Sequence, residues 1–144
     1  MGQIIKYYDL TSYFITSTNS LIVICNNKKL KKDIGLQYHH FSLNQELAKK
    51  MNEIEVEKKA LFVIDILNEM FEINENIVVS DFEMLFNPSY QLDPLKYFIN
   101  LSNKRKIILE WCGDFDGENL TYATPNYLDY IAYKVDKHNI TCVI

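Results

Sequence analysis

Two acids, Asp81 and Glu83, stand just after the apolar run Ile77-Val78-Val79. An apolar strand that delivers an acid to its carboxyl end can hold Mg²⁺ through water, and a second acid close by can activate a water molecule. Asp81 reads as the metal-side acid, one step later than the usual place, which Ser80 takes. Glu83 reads as the catalytic candidate. The plain alternative is a pair of loop acids hydrogen-bonded to a neighbouring helix end.

For phosphate chemistry a lysine loop must face these acids. Lys28, Lys29, Lys31 and Lys32 are the one dense basic cluster in the chain, directly after the apolar run Leu21-Ile22-Val23-Ile24-Cys25. A phosphate loop has the form GxxxxGK[ST], in which glycines let backbone N–H groups wrap the phosphates, the lysine reaches the terminal phosphates and the hydroxyl holds Mg²⁺. Sliding the pattern along puts Asn26 and Lys31 at the glycine places, Lys32 at the lysine and Asp33 at the hydroxyl. Without glycine the left-handed backbone is hard to reach, and Asp33 adds negative charge beside a phosphate. Gly35 also closes the segment early. The simpler reading is a short helix capped by Asn26 or Asn27 and ended by Gly35. On that reading the lysines form a solvated face, and Lys28, Lys29 and Lys31 are candidates for partner or DNA contact.

A third cluster, Asp114, Asp116 and Glu118, lies in a loop punctuated by Gly113 and Gly117. Its glycine spacing excludes an EF-hand. It reads as a hairpin with solvated acids, or as the acid set of a metal-dependent nuclease. Asp116 and the preceding Trp111 are candidates for partner contact. His39 and His40 are neighbours in a strand-like stretch, so they point to opposite faces and cannot share one metal. Cys25, Cys112 and Cys142 form no CxxC pair, which argues against a zinc site or disulfide framework and for reduced thiols in a cytoplasm.

The elements that must position these groups follow from the apolar pattern. Residues 21–25, 77–79 and 107–109 are continuous β-branched-rich runs of the kind found in parallel strands buried on both faces. Residues 37–43 and 140–144 add two further strands. Asn44 is expected to cap a helix through Ile54, and a second helix is expected over about 55–74, with Ala60, Val63, Ile64, Leu67, Met70 and Phe71 at helical spacing. Phe62 and Ile66 widen that apolar face beyond one sheet contact. Asp93-Pro94 is a strong helix start. A short leading helix is expected over 3–16 and another over 125–132. The expected order alternates strands and helices, which predicts an α/β fold with a three-layer parallel sheet.

The totals agree with one domain over 1–144. The 144 residues carry a net charge of −4, and 48% are hydrophobic. Global charge does not draw such a chain to nucleic acid, so only a local basic patch would. No apolar stretch approaches the roughly 20 residues that span a bilayer, and the start of the chain does not read as a signal peptide.

The second half resembles the BrxF family, small P-loop proteins of the type 3 BREX phage-defence systems of bacteria. The residues that carry the resemblance are Leu85-Phe86-Asn87-Pro88-Ser89, Asp93-Pro94-Leu95, Leu101-Ser102, Trp111-Cys112-Gly113 and Asp116-Gly117. Leu120-Thr121-Tyr122-Ala123, Pro125, Tyr130 and the stretch Phe41-Ser42-Leu43-Asn44 with Leu47 complete the set. The resemblance implies a P-loop NTPase-like core of the ASCE or AAA-like kind, here without a lid domain. It carries Glu83 over as the catalytic candidate and leaves Lys32 and Asp81 as nucleotide-side candidates. Because the phosphate loop is degenerate, the expected role is a non-catalytic or regulatory subunit with no cofactor, and a weak ATPase using ATP and Mg²⁺ is the alternative. The expected partners are other defence proteins, with DNA and a second copy of the chain as further ones.

Overall fold

The computed structural model describes residues 1–73 and 75–144. Strand β1 is Gln3–Ile5, helix α1 Ser12–Ser17, β2 Leu21–Ile24, α2 Lys32–Gly35 and β3 His39–Ser42. Helices α3 (Leu43–Met51) and α4 (Lys59–Met70) follow, then β4 (Ile77–Ser80), α5 (Pro94–Leu101) and β5 (Ile107–Glu110). The chain closes with β6 (Asp114–Phe115), β7 (Asn119–Tyr122), β8 (Ile131–Lys134) and β9 (Ile140–Val143). Six strands form a parallel sheet in the order β1-β9-β2-β5-β4-β3, and β6-β7-β8 form a small antiparallel sheet.

Helices cover both faces of the large sheet, which is why its strands are apolar without interruption. Alternate residues Leu21, Val23, Ile77, Val79, Ile107, Leu109 and Ile140 point into one core. There they meet Leu43, Leu47 and Met51 of α3, Val63 and Leu67 of α4, and Leu95 and Phe98 of α5. The small sheet joins the same core through Leu120 and Tyr133. Ile22, Ile24, Val78, Ile108 and Val143 face the other way, onto Leu10, Ile15 of α1, Ile34 of α2 and Leu30 of the loop before α2. The α/β expectation therefore holds, with a six-stranded parallel sheet between helical layers.

Several local expectations do not hold. The leading helix is instead edge strand β1, a 3₁₀ turn at Tyr7–Asp9 and the short helix α1. β1 pairs with β9 (Gln3 opposite Thr141), and the Gln3 amide donates to the Thr141 hydroxyl at 3.0 Å. An edge strand leaves its outer residues in water, so no continuous apolar run marks it. Its approach depends on Gly2, where an added Cβ would lie 1.7 Å from the Val135 carbonyl oxygen. α1 starts only at Ser12 because the Thr11 hydroxyl accepts the Phe14 N–H at 3.1 Å.

The helix expected over 125–132 is also absent. Residues 131–134 form β8, antiparallel to β7 with Leu120 opposite Tyr133. Ile131 and Tyr133 turn inward while Ala132 and Lys134 turn to water, a period of two and not of 3.6. α4 begins at Lys59, after a 3₁₀ turn over Val56–Lys58, and ends at Met70. The expected helix end at Asn74 lies outside the described residues. At α5 the expected cap is present: the Asp93 carboxylate accepts the Lys96 N–H at 3.1 Å.

Candidate functional site

The carboxyl ends of β2, β4 and β5 bring the charged groups together. β5 lies between β2 and β4, with Ile24 opposite Glu110 and Val79 opposite Leu109. In an open parallel sheet ligands bind outside this edge. A crevice of about 150 Å³ lies there, lined by Lys28, Lys29, Asp81, Glu83, Glu110 and Cys112 among others. The start of the lysine loop and the acids after β4 thus line one crevice beside the end of β5.

The lysine loop reaches this crevice through a left-handed turn and not through the asparagine-capped helix expected from the sequence. Asn26 and Asn27 both take left-handed backbone, with φ of 59° at each. Asparagine tolerates this region better than other residues with a Cβ, so the turn forms without glycine. Neither asparagine caps a helix. α2 starts at Lys32 with Lys31 as an N-cap that makes no side-chain bond, and Gly35 is its last residue and not a residue beyond its end.

Glu110 closes the loop from the β5 side. Its Oε2 accepts the Leu30 N–H at 2.9 Å, and its Oε1 lies 3.5 Å from Lys29 Nζ. The Glu110 side chain is only 11% exposed. A buried carboxylate thus satisfies a loop N–H and a lysine, the two kinds of donor that a phosphate would use. Tyr7 closes the loop from the other side. Its hydroxyl donates to the Lys29 carbonyl oxygen at 2.5 Å, and the ammonium groups of Lys28 and Lys31 lie 5.3 and 5.2 Å from its ring centre. Those distances are within cation–π range.

The acids after β4 are held by the start of α3. Asp81 is left-handed, with φ of 50°, and its carboxylate accepts the Ser42 hydroxyl at 2.5 Å. Asn44 is not the cap of α3. It lies in the first turn, where its N–H donates to the Asp81 carbonyl at 2.7 Å, its Oδ1 accepts the Met84 N–H at 3.1 Å and its amide donates to the Glu83 carboxylate. Asp81 and Glu83 are thus each tied to α3 or the end of β3, as the plain reading of loop acids expected. Among the described residues, no three His, Cys, Asp or Glu side chains converge so as to hold a metal ion.

Cys112 lines the crevice, but burial, and then the nearby Glu83 carboxylate, push its thiol up. A thiol held in that form is a poor nucleophile near neutral pH. Lys32 is exposed at the start of α2 and does not line the crevice. Trp111, expected as a contact surface, is 3% exposed. Its indole N–H donates to the Thr121 carbonyl at 3.1 Å, and its ring packs edge-on to Phe82, Phe86 and Tyr133. Asp116 is exposed, yet its carboxylate accepts the Glu118 and Asn119 N–H groups at 2.9 and 2.7 Å. It serves the β6–β7 turn at Gly117 (φ 103°), which is the hairpin expected there. His39 lies 3.5 Å from the Glu75 carboxylate, and His40 Nε2 lies 2.9 Å from the Gly35 carbonyl on another side.

The sequence marks Glu110 as a polar strand end at this edge without giving it a role, and it does not mark Tyr7 as a member of the site. Glu110 had a readable signal, since it is the first polar residue after the run Ile107-Ile108-Leu109. Tyr7 had none, because its role depends on β1 pairing at the sheet edge. Comparison of the chain with protein-family models, with curated proteins and with solved structures found no match.

The crevice limits what this edge can bind. Small-molecule sites are usually about 300–1,000 Å³, and this one is about 150 Å³. α2 has four residues, so it lacks the aligned dipole that a full helix offers a phosphate.

Proposed function

We propose that this chain is a P-loop-like subunit with an eroded nucleotide site. It acts as a non-catalytic or regulatory accessory protein of a bacterial anti-phage defence system, through contacts with other defence proteins. One observation carries the reading: the Glu110 carboxylate takes the Leu30 N–H and Lys29, donors that a working phosphate loop would keep for nucleotide. The strand arrangement supports the fold part of the proposal. β5 stands as an additional strand between β2, which leads into the lysine loop, and β4, which leads into the acids, as the ASCE resemblance implies. The partner class rests on the resemblance of stretches within residues 41–47 and 85–130 to the BrxF family, since fold alone does not assign a role. The test is phosphate release from ATP by the purified chain with Mg²⁺. The proposal expects no release above background and no change on Glu83→Gln. Turnover that Glu83→Gln abolishes would overturn it.

A second reading has its own observation. The lysine loop, Asp81 and Glu83 do line one crevice, as an ATPase with atypical Walker motifs requires. That reading needs Glu110 to move aside and Lys32 to turn toward nucleotide, and it predicts that Lys32→Ala abolishes nucleotide affinity. DNA contact through Lys28, Lys29, Lys31 and Lys32 is a variant of the first reading. It predicts affinity that falls steeply with salt and weakens when the four lysines become alanine. Binding that ignores salt would exclude it.

A further inference from the structure

α4 leaves one stripe of its surface without a partner. Val63 and Leu67 are fully buried beneath it. At about 100° per residue, Leu61, Phe62 and Asp65 fall on the opposite side, and Lys58 is exposed at the N-cap just before them. Leu61 is 72% exposed and Phe62 40%, with Val56 67% exposed just before the helix. Lys58 and Asp65 are exposed on either side of this apolar centre, and Lys58 Nζ lies 3.7 Å from the Glu55 carboxylate of its own chain, an exposed pair of little energy that a partner's Asp65 can share.

The charges along the helix are reversed from what its own dipole favours. A helix start is stabilised by acids and a helix end by bases. α4 has no acid in its first turn and no base in its last. Lys58 and Lys59 stand at the start, while Asp65 and Glu69 stand toward the end. An antiparallel neighbour with the same sequence corrects both ends at once.

We propose that a second copy of this chain covers the stripe, with α4 packed antiparallel against its counterpart about a two-fold axis near Leu61 and Phe62. In that register Lys58 of each copy meets Asp65 of the other, and Leu61 of each meets Phe62 of the other. The contact is isologous and closes on itself, as two-fold interfaces do. A 12-residue helix is about 18 Å long, and one face of it offers less than the roughly 800 Å² per partner of a stable complex. The dimer is therefore weak, with dissociation on the order of tens to hundreds of micromolar. No residue of the carboxyl-edge crevice takes part, so the contact stands apart from the function proposed above.

Sedimentation velocity of the full chain, from about 10 μM to about 1 mM at low salt where charge pairs are least screened, tests the proposal. The wild type passes from monomer to dimer across that range. Leu61→Ser weakens association about tenfold or more, since buried apolar contacts form its centre. Lys58→Glu alone and Asp65→Lys alone each weaken it several-fold by like-charge contact. The double variant Lys58→Glu/Asp65→Lys recovers wild-type association, because each copy again offers opposite charges. All three positions are exposed, and circular dichroism checks that each variant stays folded. A chain that remains monomeric throughout overturns the proposal. So does a double variant that fails to recover, which would mean that some other partner covers this face.

Discussion

The Glu110 carboxylate and the Leu30 N–H meet at 2.9 Å across 80 positions of sequence, and together they shut the loop that follows β2. The bond joins the end of β5 to the loop leaving its neighbour β2. It occupies two donors of the loop, the Leu30 N–H and the Lys29 ammonium, with a carboxylate of the chain itself.

Removing that acceptor leaves a partly buried N–H without a partner. Glu110→Ala is expected to destabilise the fold by about 1–3 kcal/mol, the usual penalty for such a group. Glu110→Gln keeps an oxygen for the Leu30 N–H and loses the ion pair with Lys29, whose ammonium is well exposed. Its expected loss is under about 1 kcal/mol. Urea unfolding of the two variants checks the order; equal effects would show that the N–H bond contributes nothing.

The left-handed pair Asn26 and Asn27 makes a separate prediction. Asn27→Gly should leave stability unchanged or raise it slightly, because glycine reaches a φ of 59° freely. Asn27→Ala should cost about 1 kcal/mol, since a Cβ is disfavoured there. Thermal melts of the two variants separate the outcomes, and a melting point for Ala at or above that for Gly contradicts the assigned backbone.

Much of the large sheet was legible because its inner strands are buried on both faces, which forces unbroken apolar runs such as Leu21–Ile24 and Ile107–Leu109. β1 and β8 were not legible. β1 is an edge strand of three residues with Gln3 and Ile4 both exposed, and β8 is four residues long with Ala132 and Lys134 turned to water. In both, strand pairing outweighs local propensity: β1 pairs with β9 at the other end of the chain, and β8 with the preceding β7. The site was legible in part. Asp81 and Glu83 do reach the crevice with Lys28 and Lys29, as the apolar strands before them implied. The turn after β2 is not legible from a glycine pattern, because Asn26 and Asn27 take the left-handed backbone there. Asn44 was misjudged because its side chain serves the β4 loop across the sheet edge, a long-range bond that a capping pattern does not reveal.

Trp111 bears on stability. It is 3% exposed and sits between Phe82, Phe86 and Tyr133. Trp111→Ala is expected to cost about 3–5 kcal/mol. Trp111→Phe should cost less, but it loses the bond to the Thr121 carbonyl that ties β5 to β7. Denaturant titration measures both, and a neutral Trp111→Ala would show that the indole is not part of the core.

Asp116 supplies a pH dependence. The Glu118 and Asn119 N–H groups hold its carboxyl below the ordinary value of 3.8. A depressed folded-state value means that the stabilisation is present above the ordinary value and is lost as pH falls through the lowered one. The melting-point difference between wild type and Asp116→Ala should thus be full at pH 7 and shrink toward pH 2. A difference that stays constant over that range would show that the carboxylate does not cap the turn.

The central claim is that the carboxyl edge no longer takes nucleotide. A calorimetric titration of the purified chain with ATP, with and without Mg²⁺, tests it most directly. The closed Glu110–Leu30 loop predicts no saturable heat at millimolar nucleotide in either condition. Saturable, Mg²⁺-dependent binding would contradict the account and give the Asn26–Asp33 loop back its role as a phosphate site.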